Sequence, residues 1–64
     1  MEVFIERTNE TKKLTFTGSV KALLAELQIS QEDVLVIRNN TMLTDDVTLE
    51  NADSIKLLSV VSGG

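Results

Sequence analysis

The chain has 64 residues, a formal net charge of −4, and no cysteine, histidine or proline. A chain this short reads as one domain, 1–64, that buries only about 60% of its unfolded surface. Without Cys it has no disulfide or thiolate metal site, and without His no imidazole for acid–base work near neutral pH. The 6 basic residues are scattered, with only Lys12 and Lys13 adjacent, so the acidic balance argues against nucleic acid. No apolar run approaches the roughly 20 residues of a membrane helix, and no basic segment followed by an apolar one opens the chain. The expectation is a cytoplasmic monomer that contacts neither membrane nor nucleic acid.

Met1 to Arg7 alternates. Met1, Val3 and Ile5 share one side, and Glu2, Phe4 and Glu6 share the other. Period-two spacing predicts a strand with the first set inward and Phe4 outward among carboxylates. Thr8-Asn9-Glu10-Thr11 is rich in turn formers. Lys12 to Thr17 alternates again, with Leu14 and Phe16 inward, so the two strands read as an antiparallel hairpin. Gly18-Ser19 breaks the pattern, and the Ser19 hydroxyl suits a helix N-cap. Val20, Leu23, Leu24 and Leu27 then form a helical stripe, predicting a helix from about Val20 to Gln28. Ile29 is expected to tuck under the helix end, before a polar loop at Ser30 to Asp33.

Val34 to Ile37 is an uninterrupted apolar run, which predicts a central strand covered on both faces or nearly so. Asn39-Asn40 signals a turn, because Asn tolerates positive φ. Met42-Leu43 has room for a stub of strand, and Val47 and Leu49 are expected to plug the bottom of the core. After a turn at Asn51-Ala52-Asp53, the last strand carries Ile55 and Leu57, whose burial places it centrally, beside the first strand. The fold class is α+β: a mixed sheet of four to five strands with one helix packed across it.

That last strand runs into Ser62-Gly63-Gly64. The plain reading of the two glycines is a frayed terminus. At an average glycine usage of about 7%, chance gives a terminal Gly-Gly pair roughly once in 200 chains. Nothing else in the sequence offers a reaction site. Glu32 with Asp33 and Asp45 with Asp46 read as solvated turn residues, and no Gly-rich loop links a strand to a helix.

The whole chain resembles the β-grasp sulfur carriers and ubiquitin-like modifiers of the ThiS/MoaD and small archaeal modifier type. The likeness runs from the opening hairpin and single helix, through Asn39-Asn40 and Thr44-Asp45-Asp46, to Ile55-Lys-Leu-Leu-Ser-Val-Val-Ser-Gly-Gly64, where it is most specific. Many members carry Gly where this chain has Asn40; Asn reaches the left-handed conformation at modest cost.

The resemblance implies a carrier or substrate rather than an enzyme, with no cofactor of its own. A partner E1-like adenylating enzyme uses ATP and Mg to activate the Gly64 carboxylate. The acyl-adenylate becomes a thiocarboxylate for thiamine, molybdopterin or tRNA thiolation through a sulfur-accepting synthase. The alternative is an isopeptide bond from Gly64 to target-protein lysines, with Lys12, Lys13, Lys21 and Lys56 as candidates for self-linkage. A third reading is a non-covalent binding module. Ser62 and Gly63 keep the tail thin enough to thread a narrow channel. For partner docking, Phe4, Leu58 and Val60 share the outward side of the first and last strands. They form one exposed apolar patch, or Leu58 lies under a loop and Phe4 is a lone surface aromatic.

Overall fold

Alternation at the start of the chain produces β1, Glu2–Ile5, with Val3 and Ile5 buried and Glu2 exposed. The computed structural model describes residues 1–60, so Ser62, Gly63 and Gly64 lie outside the described residues. β2, Glu10–Lys13, pairs antiparallel with β1, setting Glu2 opposite Lys13 and Ile5 opposite Glu10. The second strand was expected from Lys12 to Thr17, and it starts earlier because the turn does. The Asn9 amide donates to the Glu6 carbonyl at 3.1 Å, and Asn9 takes φ 54°, closing the turn over Glu6 to Asn9. A shift by an even number of residues keeps the faces. Leu14 and Phe16 therefore still pack against the core, while Thr15 and Thr17 are exposed.

Gly18-Ser19 is more than a break. It forms β3, Gly18–Ser19, paired antiparallel with β6, Thr48–Leu49. Gly18 sits at φ 145°, and a Cβ there would stand 3.1 Å from the Phe16 ring, so the position needs glycine. Helix α1, Val20–Leu27, starts at Ser19, whose hydroxyl accepts from the Ala22 amide at 3.1 Å. It stops at Gln28, which turns left-handed at φ 58° while the Ile29 amide donates to the Leu24 carbonyl. Val20, Leu23 and Leu24 are buried, and Leu27 and Ile29 pack partly buried beside them.

β4, Val34–Arg38, and β5, Thr41–Leu43, form a hairpin through Asn39 and Asn40, at φ 52° and 63°. A two-residue turn with both central residues at positive φ matches the twist of its strands, and asparagine supplies it. β7, Ser54–Ser59, runs up the middle of the five-stranded sheet, whose order is β2-β1-β7-β4-β5. It lies parallel to β1, with Val3 opposite Ile55, and antiparallel to β4, with Val36 opposite Leu57. Val3, Ile5, Val34, Val36, Ile55 and Leu57 face α1 across the core, with Leu49 fully buried and Val47 partly buried at its margin.

Candidate functional site

One face of the sheet is sealed by α1, and the other carries the candidate site. Register decides which side chains meet there. Phe4 stands opposite Lys56, Lys56 opposite Ile37, and Ile37 opposite Met42, one row across four strands. The next row sets Leu58 opposite Leu35. Leu35 is 42% exposed, Met42 63% and Val60 40%, while Phe4, Ile37 and Leu58 are half-buried. Directly opposed and diagonal side chains on a sheet lie within reach of one another, so these residues make one apolar band.

Phe4 and Leu58 fall on this face as the alternation predicts, and Val60 follows at the end of β7. Leu35, Ile37 and Met42 were missed. The run from Val34 to Ile37 predicts a strand covered on both faces or nearly so, and the structure corrects this. Val34 and Val36 are buried, but Leu35 is exposed and Ile37 half-exposed, because the helix packs on one face only. The unbroken apolar run was itself the available signal, since every second residue of a half-covered strand must face outward.

Beside the band lies a depression of about 330 Å³, lined by Glu2, Phe4, Thr11, Ile37, Asn40 and Lys56 among others. Lys12, Lys13, Lys21 and Lys56 are all exposed. Lys13 approaches Glu2 at 3.9 Å; among the described residues Lys56 has no carboxylate within ion-pair distance.

The root of the tail is fastened on both sides. The Glu6 amide donates to the Leu57 carbonyl at 3.0 Å, and the Glu6 carboxylate accepts from the Ser59 amide at 3.0 Å, extending β1 by a side chain. On the other edge the Val60 amide donates to the Asp33 carbonyl at 3.0 Å. Arg7 pairs with the Asp33 carboxylate at 3.6 Å in solvent. Asp45 and Asp46 lie exposed in the turn after β5, where the Thr44 hydroxyl donates to Asp46.

The entry to β7 is clamped by Asp53. Its carboxylate accepts from the Glu50 amide at 2.8 Å and from Arg38 at 3.0 Å. The Glu50 hydrogen bond is the largest influence and lowers the carboxyl below its ordinary value; burial opposes it, and the Arg38 hydrogen bond and charge, with the N-terminal ammonium, add to the lowering. A depressed carboxyl stabilises the fold above its unfolded-state value and loses that contribution as pH falls through the folded-state value. Asp53→Asn is therefore expected to melt below the wild type at neutral pH. The gap should close as both are acidified below the carboxylate range; a gap independent of pH in thermal melts would contradict this.

No helix among the described residues is long and apolar enough to cross a membrane. A comparison with curated proteins gives no match. A model of the ThiS family matches residues 3–64. The chain belongs to the ThiS family. It is thus a β-grasp sulfur carrier, and ThiS-family membership implies an adenylating partner and a sulfur-accepting synthase. The ThiS fold is also seen in a crystal structure of a thiamine biosynthesis protein (ThiS) from Geobacter metallireducens, at 24% identity and TM-score 0.65, covering 100% of both chains. A solution structure of a thiamine biosynthesis protein from the same organism agrees at 23% identity and TM-score 0.60, covering 100% of this chain and 88% of the other. At this identity the likeness speaks for the fold.

Proposed function

We propose that the chain carries sulfur as a thiocarboxylate on Gly64, for thiamine synthesis as in the Geobacter proteins to which it is similar. The family match through the Gly63-Gly64 end carries this reading. The Gly64 carboxylate attacks the α-phosphate of ATP on an adenylating enzyme, releasing pyrophosphate. Hydrosulfide delivered by a partner then attacks the acyl carbon and displaces AMP, leaving the thiocarboxylate and releasing a proton. Catalysis, ATP and Mg belong to the partner; this chain supplies the carboxyl, a thin Ser62-Gly63-Gly64 thread and a rigid mount.

The mount docks through the outer face of the sheet. Phe4, Leu58 and Val60, joined by Leu35, Ile37 and Met42, offer an apolar surface around Lys56, and exposed apolar surfaces mark partner sites. Truncating an aromatic anchor typically costs an interface about tenfold or more in affinity. Phe4→Ala is expected to raise the KM for the carrier in ATP–pyrophosphate exchange by about that factor. Unchanged exchange together with unchanged pull-down of the adenylating enzyme would move docking off this face.

A further inference from the structure

The apolar band is interrupted at its centre by one cation. Lys56 occupies the middle of the row, with Phe4 opposite it on β1 and Ile37 opposite it on β4. It lines the 330 Å³ depression together with polar groups of Thr11, Asn39, Asn40 and Ser54. The one carboxylate in that lining, Glu2, lies 3.9 Å from Lys13, and Lys56 has no carboxylate within ion-pair distance among the described residues.

An exposed, unpaired ammonium costs nothing in water. Under a docked apolar surface it loses its hydration, and an unpaired buried charge is strongly unfavourable. A partner that closes over Phe4, Ile37 and Leu58 must therefore supply an opposite charge, or it is rejected. The geometry points to Lys56 as the specificity-determining charge of the docking face, received by a carboxylate set within an apolar surface of the adenylating enzyme. The depression gives that carboxylate room to enter beside the ammonium, with the asparagine amides and hydroxyls as further donors.

The sign pattern sharpens the selection. The chain as a whole is acidic, at −4, so at long range it favours basic surfaces. At the centre of this face it demands the reverse. A uniformly basic surface is attracted and then fails on contact, which is how a repulsive element produces specificity.

This inference rests on adenylation as proposed above, and one experiment separates the two. The host's adenylating enzyme is assayed by ATP–pyrophosphate exchange against wild type, Lys56→Glu, Lys56→Met and Lys56→Arg. Lys56 is exposed on its strand, so thermal melts of all four are expected to coincide. Lys56→Glu should raise KM for the carrier by about tenfold or more, with kcat unchanged. Lys56→Met should raise it less, and Lys56→Arg should stay within about threefold of wild type. The inference is overturned if Lys56→Met binds as well as or better than wild type, if Lys56→Glu is indifferent, or if the loss lies in kcat. Absence of exchange with wild type contradicts the adenylation reading, and the role of Lys56 falls with it.

Discussion

A chain carrying one alanine after Gly64 is expected to lose adenylation by about 100-fold or more in kcat/KM, with its melting temperature unchanged. The last described backbone anchor is the Val60 amide on the Asp33 carbonyl, and four residues follow it. Four residues reach at most about 14 Å when fully extended. On the proposed mechanism the reacting carboxyl is thus tied on a short tether to a docked sheet. One added residue displaces it by about 3.5 Å, and misplacement of about 1 Å already costs on the order of 100-fold. A rate for the extended chain within a few-fold of wild type would mean that the terminus is not the reacting group.

The second large effect is on stability. Leu57→Ala is expected to destabilise the fold by about 2–5 kcal/mol, read as a lower urea midpoint with an unchanged slope. Leu57 is 0% exposed and sits on β7, between Ile5 of β1 and Val36 of β4. A chain of this length has a total stability of only about 3–10 kcal/mol, so the variant loses much or all of it. Leu58 is half-buried on the outer face, and truncation there should cost well under half as much. Equal losses at the two positions would contradict the assignment of a sealed face and an open face.

Much of this architecture was legible because the local signals agree with the long-range ones. Asn39-Asn40 signals a turn, and both residues adopt the positive φ that the two-residue hairpin needs. Ser19 caps the helix, and its apolar stripe faces the sheet. Burial of Ile55 and Leu57 was enough to place the last strand beside the first. Three features were not legible. The first turn closes on Asn9 because Asn9 takes a positive φ, a choice among several turn formers that propensity alone does not make. The two-residue pairing of β3 with β6 joins segments far apart in sequence and leaves no periodic trace. The openness of β4 depends on what covers the sheet, and an apolar run reads the same whether one face or both are packed.

The candidate site divides along the same line. Phe4 and Leu58 were visible through alternation, whereas Leu35, Ile37 and Met42 join them only through the register of β4 with its neighbours. In the sequence Lys56 stands out only as one of four lysines that are candidates for self-linkage. Its place between Phe4 and Ile37 comes from the parallel pairing of β1 with β7 and the antiparallel pairing of β7 with β4.

Sulfur carriage on Gly64 is tested most directly by the intact mass of the chain purified from its own host with no tag behind Gly64. The account predicts a species heavier by the exchange of one oxygen for sulfur, removed by alkylation at the terminus. A chain found only as the carboxylate, with a Gly-Gly remnant on lysines of digested host protein, would contradict it and make the chain a protein modifier.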